Sequence, residues 1–505
     1  MKKTIADYFE QTAAAYPHNI ALGDGDSQLT YGQMRTDARR LASRIAAEGI
    51  RRQPIALLMK RSVRLPVAMM SVLYSGSFYV VLDFESPRQR IEKILTTLSP
   101  AMIVYESEFQ ATAESFDPSI KLLCYEQAME SSQEDEGLLA RIQQSATAQD
   151  PAYALFTSGS TGVPKGALLT NQNVISYIHW FTDCFGIGSH TVFGSQTSLY
   201  FSMSVSDFYG SMFTGAAYQM IPKTYFAFPA KLISFMEQRK VNTIYWVPSA
   251  LGIVAKFDLF KYCLPGSLTT VLFAGEVMPV KYLNYWRRYL PEVTYANLFG
   301  PTETTDICAY YVVDRAFEES QSLPIGIPCG NCRLLILDEQ GREVTDDGVG
   351  ELYVGGPFVA SGYYGNPEKT AEAFVQDPLQ SSYPEIVYRT GDLVHRNRFG
   401  ELEYVGRKDF QIKHLGYRIE PSEIETALNT VEHVELTVCV YDAKADLLLL
   451  AYESQKQLDT QLDEAAKASL PHYMQPSKFR RFDAFPKNAN GKIDRKAILQ
   501  IMLEG

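Results

Sequence analysis

Residues 155–166 read Leu-Phe-Thr-Ser-Gly-Ser-Thr-Gly-Val-Pro-Lys-Gly, the stretch of this chain richest in groups that bind anions. An apolar run from Tyr153 to Phe156, suited to a buried strand, leads into Thr157, Ser158, Gly159, Ser160, Thr161 and Gly162, with Lys165 and Gly166 following. Glycines let a backbone come close to an anion because they tolerate positive φ and carry no side chain. Hydroxyls and amides donate to phosphate oxygens, and a lysine adds charge. The loop therefore reads as a polyphosphate cradle. It is not the common G-x-x-x-x-G-K-[ST] loop, because Lys165 is followed by Gly166. The competing reading is a Gly/Ser surface turn. A loop this dense in oxyanion donors exceeds ordinary turn chemistry.

The elements that must position this loop show in the hydropathy pattern. Residues 4–16 and Met34 to Ile45 have helical spacing, Pro54 to Met59 and Phe78 to Leu82 are short apolar strands, and Arg64 to Leu73 suits the helix between them. That is a β-α-β unit. The alternation recurs at Thr243–Val247, Ser249–Lys256 and Thr270–Phe273, which predicts an α/β body with largely parallel sheets. Beyond about residue 320 the texture changes. Arg333 to Asp338, Glu351 to Val354 and Leu402 to Val405 are short strands between Gly, Asn and Asp turns, predicting a smaller β subdomain. A new mixed unit follows. Glu420 to Leu428 and Leu458 to Leu470 read as helices, Leu436 to Tyr441 and Leu447 to Tyr452 as strands, so a boundary is expected near Asp409. The polar, acidic stretch 128–150 predicts surface helix and loop.

A length of 505 residues predicts two or three domains, and 46% hydrophobic residues supply a large core. The net charge of −11 argues against a nucleic-acid binder. No apolar run has membrane-spanning length. The start, Met-Lys-Lys-Thr-Ile-Ala-Asp-Tyr-Phe-Glu, reads as the beginning of a helix rather than a signal peptide. The cysteine count is odd, at seven, so no disulfide framework is expected, and a reducing cytoplasm fits. Cys329-x-x-Cys332 has the spacing of a redox pair or half a zinc site. No second pair or nearby His cluster completes it, and two incidental thiols are the favoured reading.

The loop at 155–166 resembles the signature of adenylate-forming enzymes, the superfamily of acyl-CoA synthetases, luciferases and nonribosomal peptide adenylation domains. Further matches follow in the family's order. Asn297-Leu298-Phe299-Gly300-Pro301-Thr302-Glu303-Thr304 resembles the aromatic-Gly-x-Thr-Glu motif, and Tyr388-Arg389-Thr390-Gly391-Asp392-Leu393 the ribose motif. Gly406 to Glu425 resembles the hinge motif, and Asn490-Gly491-Lys492-Ile493-Asp494-Arg495 the C-terminal lysine motif. Gly350-Glu351-Leu352 and Gly362-Tyr363 add weaker matches, and the likeness covers essentially the whole chain.

The resemblance implies an α/β fold with a large N-terminal domain, 1–408, of two α/β subdomains and a small β subdomain. A small mobile α+β C-terminal domain, 409–505, follows, with Asp409 at the hinge. It implies activation of a carboxylic acid, an amino acid or amino-acid-like one, by ATP and Mg2+ as an acyl-adenylate with release of pyrophosphate. Loop donors and the cation screen the repulsion between the two anions. Glu303 is the implied magnesium ligand, Phe299 stacks on adenine, and Asp392, acceptor-only when ionised, takes the ribose diol with Arg407 beside it. Gly275, Glu276, Asn297, Gly300 and Thr302 complete the implied nucleotide site with Thr157 to Gly162. Lys165 and Lys492 are the implied catalytic cations, Lys492 reaching between the carboxylate and the α-phosphate. Each residue also has a plainer reading: a core aromatic for Phe299, a turn carboxylate for Glu303, a cap or turn aspartate for Asp392, a strand-end surface charge for Arg407.

In the family a second half-reaction passes the acyl group to a phosphopantetheine thiol. Rotation about the hinge removes Lys492 and brings in the strand-loop around Gly416. The chain ends shortly after Lys492 with no Gly-Gly-x-Ser segment, so the expected acceptor is a separate phosphopantetheinylated carrier protein. The hinge text Phe410-Gln411-Ile412-Lys413-His414-Leu415-Gly416-Tyr417-Arg418-Ile419-Glu420 resembles peptide-synthetase adenylation domains and D-alanine–carrier-protein ligases more than acyl-CoA synthetases. The alternatives are a ligase using free coenzyme A and a degenerate, non-catalytic nucleotide binder. Loss of function does not explain why Lys165, Glu303, Asp392, Arg407 and Lys492 all stand, each with a distinct role.

The acid itself is where the resemblance strains. In α-amino-acid activators an aspartate follows the position of Phe201 and binds the amine; here Ser202 stands there, and a neutral hydroxyl does not pair with ammonium as a carboxylate does. Asp207 is displaced and matches an acidic position outside the pocket. The remaining implied pocket positions are Met203, Ser206, Ser249, Leu272, Ala274, Leu298, Asp306 and Ile307, with Asp306 the one acid among them. A buried acid is costly without partners. Asp306 therefore either meets a cationic or hydroxyl group of the substrate away from the usual amine position, or pairs with neighbouring protein groups.

Overall fold

A computed structural model describes residues 3–159, 162–345, 348–487 and 493–504. The chain divides into two compact units. The larger comprises Met1–Leu82, Leu98–Leu155 and Ala167–Lys408; the smaller comprises Asp83–Thr97, Phe156–Gly166 and Asp409–Gly505.

The larger unit is built on three sheets. One has six strands in the order Lys121–Cys124, Met102–Tyr105, Pro54–Leu58, Phe78–Val81, Pro151–Thr157 and Lys165–Thr170. Pro54–Leu58 and Phe78–Val81 run parallel, joined by the helix Arg64–Tyr74, and every residue of both strands is buried. Such uninterrupted apolar runs mark strands covered on both faces.

The second sheet has nine strands, and its centre is parallel: Thr294–Phe299, Thr270–Phe273, Thr243–Trp246, Val192–Ser195, Ala217–Met220 and Ile20–Gly23 lie side by side in that order. Two helices that matter below pack against this unit's core. Asn171–Phe185 starts at a capping box, in which the Thr170 hydroxyl accepts from Asn173 N and the Asn173 side chain accepts from Thr170 N, and stops at Gly186 with φ +63°. Met203–Thr214 stops in the same way at Gly215, φ +84°.

The third sheet is antiparallel, with Arg333–Leu337, Gly350–Gly355, Ile386–Arg396 and Phe374–Gln376 in order and Leu402–Arg407 paired to Ile386–Arg396. The β texture expected beyond residue 320 is this sheet. Its longest strand contains Asp392, which lies within a strand rather than at a cap or turn.

In the smaller unit, Leu436–Asp442 and Leu447–Glu453 pair antiparallel and Lys478–Phe482 adds in parallel. The helices Pro421–Leu428 and Asp459–Ser469 bury Ile424, Leu428, Leu462 and Ala466 in one cluster with Leu448 and Leu450. A hairpin of Ile412–His414 and Tyr417–Ile419 turns through Leu415 at φ +51° and Gly416 at φ +79°. Positive φ at both central residues is the turn that matches strand twist. Among the described residues no helix is long and apolar enough to cross a membrane.

Candidate active site

Sheet register gathers the implied acid-pocket residues in the larger unit. Tyr245 is opposite Leu272, and Leu272 opposite Ala296. With a period of two, Ala274 and Leu298 share that face. Leu272, Ala274, Leu298, Ile307 and Met203 are all buried. The positions cluster at the carboxyl ends of parallel strands, where open α/β sheets bind ligands. Ser249, in the first turn of the helix Pro248–Lys256, donates its amide and hydroxyl to Glu276 at 2.7 and 2.9 Å. Glu276, implied for the nucleotide, thus anchors a pocket helix, and Gly275 before it has φ +89°.

Asp306 is 2% exposed, and its Oδ2 accepts from Ser206 Oγ at 2.6 Å, Tyr245 OH at 3.1 Å and Tyr177 OH at 3.3 Å. Tyr177 also pairs with Ser206 at 2.7 Å. Burial pushes the Asp306 carboxyl up to about 6, against the pull of these hydroxyls and of Ser202. The protein partners of Asp306 are hydroxyls, which solvate the carboxylate without neutralising it, so this geometry is compatible with both readings open in the sequence. A carboxylate so held keeps its charge for a cation. Ser202 precedes the helix Met203–Thr214, and Thr302 Oγ1 lies 3.4 Å from its hydroxyl. Phe201 packs on Tyr200 with centroids 4.5 Å apart. Asp207, one residue beyond Ser206, is buried, with Oδ1 accepting from Phe208 N, and burial pushes its carboxyl up to about 8.

Glu303 is completely buried on the short turn Thr302–Thr304, not a surface carboxylate, and its Oε1 accepts from Tyr363 OH at 2.6 Å. One oriented carboxylate with hydroxyls nearby fits Mg2+, which takes one or two protein carboxylates and completes its shell with phosphate and water oxygens. Tyr363→Phe removes the bond that orients Glu303. It is expected to raise the half-saturating Mg2+ concentration about tenfold. A magnesium titration of turnover that matches the wild type sinks this assignment. Phe299 is buried beside Tyr404, centroids 5.9 Å apart, and Asn297 donates to Pro324 O at 2.8 Å. Gly300 admits no side chain, because a Cβ there would lie 2.3 Å from Asp306 O.

Asp392 and Arg407 face each other across adjacent strands, and Arg407 donates to Asp392 Oδ1 at 2.9 Å. Their side chains are 3% and 8% exposed, so Arg407 is no surface charge.

In the smaller unit the described residues of the loop, 156–159 and 162–166, are held internally. Ser158 Oγ donates to Arg418 O at 2.7 Å and accepts from Glu420 N at 3.1 Å, so here this hydroxyl anchors the loop. Lys93 Nζ donates to Gly162 O at 3.1 Å, and Gly162 N to Gly159 O at 3.0 Å. Gly159 is obligatory, since a Cβ would lie 2.0 Å from Val163 O, and Gly162 has φ +75°. Thr157 ends one strand and Lys165 opens the next. Asp409 Oδ1 accepts from Gln411 N at 3.2 Å. Ser160, Thr161, Asn490, Gly491 and Lys492 lie outside the described residues.

Tyr177 and Tyr245 are site residues that sequence reading missed, because each stands in an apolar run as an ordinary core aromatic, and Tyr363, quoted only within a weaker motif match, was assigned no role. None of the seven cysteines is in a disulfide, and burial pushes the Cys332 thiol up to about 12. Among the described residues no group of three or more His, Cys, Asp or Glu side chains is placed to hold a metal.

Comparison with known proteins gives a match of residues 9–364 to the family described as AMP-binding enzyme. The chain is 33% identical over 505 residues to the dimodular nonribosomal peptide synthase of Bacillus subtilis (strain 168), covering 98% of this chain but 21% of that protein. It is 30% identical over 501 residues to tyrocidine synthase 1 of Brevibacillus parabrevis, covering 98% of this chain and 45% of that protein. The chain thus spans less than half the length of either relative. Its fold is similar to an artificially fused adenylation–PCP di-domain, NpsA-ThdA, from Klebsiella oxytoca, with TM-score 0.81, 21% identity, and 94% and 93% of the two chains covered.

Proposed function

The chain belongs to the AMP-binding enzyme family, and from that premise we propose that it activates a carboxylic acid with ATP and passes the acyl group to a phosphopantetheine thiol. The carboxylate oxygen attacks the α-phosphorus, the bond to the β-phosphate breaks, and pyrophosphate leaves. The thiol then adds to the acyl carbon, loses its proton, and AMP departs. The observation that carries this reading is one buried turn bearing both Glu303 and Asp306, three residues apart. It gives a single backbone support to the phosphate-side carboxylate and the acid pocket.

Within that frame Glu303, oriented by Tyr363, holds Mg2+, and the cation when bound neutralises charge on the phosphate oxygens. The Asp392–Arg407 pair receives the ribose, Phe299 the adenine, and the glycine-lined loop 157–162 with Lys165 the phosphates. Lys492 bridges the two reacting anions, and Asp409 is the hinge of the C-terminal domain 409–505.

The acid carries an amine, or a hydroxyl donor, away from the usual α-amine position. Ser202 offers no charge there, whereas Asp306 is a buried carboxylate held only by hydroxyl donors among its hydrogen-bond partners. A phosphopantetheinylated carrier protein is the acceptor.

Acid-dependent exchange of labelled pyrophosphate into ATP tests this, across α-amino, β-amino, hydroxy and aryl acids. Exchange with amine-bearing acids whose amine is not α is expected. No exchange with any class rejects the activation step. AMP release on adding a phosphopantetheinylated carrier domain, but not coenzyme A, supports the carrier acceptor; the reverse order replaces it with coenzyme A.

A further inference from the structure

Eight described non-glycine residues have positive φ: Arg52, Ser99, Lys240, Asp258, Thr305, Leu415, His433 and Asp446. Thr305 is the only β-branched residue among them and the only buried one. At φ +68° and ψ −56°, with Asp306 N donating to Thr304 O at 2.8 Å, it is the centre of a γ-turn of the rare, strained hand. A β-branched residue there is a genuine outlier, and such conformations persist only where the surroundings over-determine them.

The surroundings do so. The segment 356–363 lies along the turn and grips it at several points. Thr305 Oγ1 donates to Phe358 O at 2.7 Å, Ala360 N to Glu303 O at 2.8 Å, and Tyr363 OH to Glu303 Oε1 at 2.6 Å. The segment is itself tied to the helix Asn171–Phe185, since Asn173 Nδ2 donates to Pro357 O and Val359 O at 2.8 and 2.9 Å. That helix also carries Tyr177, which reaches Asp306.

We propose that Thr305 is a positioning residue whose clamped γ-turn sets the Glu303 carboxylate and the Asp306 carboxylate in one fixed mutual orientation, coupling the metal side of the reaction to the acid side. The inference rests on the function proposed above. A relaxed turn at 305 would rotate the peptide between the two carboxylates, so both would lose register together. The hydroxyl of Thr305 is the locking element, because it is the only side-chain bond the central residue makes across to segment 356–363 among the described contacts.

Three variants separate hydroxyl, backbone and bulk. Thr305→Val keeps the shape and leaves Phe358 O without its donor. Thr305→Ser keeps the donor. Thr305→Gly removes the steric strain and the donor together. In pyrophosphate exchange, Thr305→Val and Thr305→Gly are expected to raise the KM for the acid and the half-saturating Mg2+ concentration together, each about tenfold or more, and Thr305→Ser to stay within about twofold of the wild type. A merely structural role would lower the unfolding temperature and leave both parameters unmoved. Wild-type values in Thr305→Val overturn the proposal, as does a change in one parameter without the other. Should Thr305→Val fail to fold, Thr305→Gly decides, and wild-type values there overturn the proposal. Exchange that is absent in the wild-type protein itself rejects the proposed function instead, so the two failures are distinguishable.

Discussion

Asp306→Asn is expected to lower kcat/KM for the preferred acid by about two to three orders of magnitude, with the KM for ATP unchanged. The carboxylate is buried, and its hydrogen-bond partners are the hydroxyls of Ser206, Tyr177 and Tyr245. Hydroxyls solvate a buried charge without cancelling it. A substrate ammonium in the pocket supplies the missing opposite charge, and an amide does not. The same variant should invert preference, improving neutral acids relative to amine-bearing ones. Unchanged ranking across the acid panel sinks the assignment.

A pH signature accompanies it. Burial raises the Asp306 carboxyl from 3.8 to about 6, so the free pocket becomes anionic as pH rises through about 6. The KM for an amine-bearing acid should fall between pH 5 and pH 7 in the wild type, and stay flat in Asp306→Asn. Asp207, next to Ser206 on the helix Met203–Thr214, is pushed up to about 8 and stays largely protonated across this window. Stability runs the opposite way. A folded-state value above the unfolded one means that the contribution of Asp306 is fully present below 3.8 and lost as pH rises through about 6. The asparagine variant should therefore gain in unfolding temperature relative to the wild type across that window, measurable by thermal denaturation at pH 4 and pH 7.

The second large effect is expected at Asp392. Asp392→Ala leaves the Arg407 guanidinium buried opposite a methyl group, where the wild type has an ion pair at 2.9 Å with side chains 3% and 8% exposed. Removing one partner of a buried pair costs about 3–5 kcal/mol, because the other charge stays uncompensated. The KM for ATP should rise about a hundredfold as the proposed ribose acceptor is lost and Arg407 loses its orienting partner. The paired variant Asp392→Ala/Arg407→Leu should recover stability in urea unfolding without recovering ATP affinity. Recovery of both would make the pair a structural clasp with no nucleotide role.

How far each of these residues was legible in the sequence depends on what decides its environment. Thr270–Phe273 is a strand in both readings, since a short apolar run between turn signals has few alternatives. The strand-loop around Gly416 came only with the resemblance, and the structure makes it the hairpin Ile412–His414 with Tyr417–Ile419, turning through Leu415 at positive φ. Asp392 was open to a cap or turn reading. It sits mid-strand because the register of Ile386–Arg396 on Leu402–Arg407 puts it against Arg407. Glu303 suited a surface turn, and it is buried because segment 356–363 covers it and Tyr363 bonds it.

Runs of consecutive residues that resemble the family's motifs were legible in the sequence alone: the loop at 155–166, the run 297–304, the run 388–393, and Ser202 where the resemblance expects an acid. The roles proposed for them rest on local backbone and residue type, so neighbours in the chain suffice to suggest them. The tertiary structure alone decided what Asp306 faces. Tyr177, Ser206, Tyr245 and Asp306 span 129 positions of the chain and meet around one oxygen. That meeting follows from the strand order of the nine-stranded sheet and the packing of two helices, which no local pattern encodes. The strain at Thr305 is of the same kind: threonine has no preference for that conformation, and only the contacts of a segment some fifty residues further along the chain hold it there.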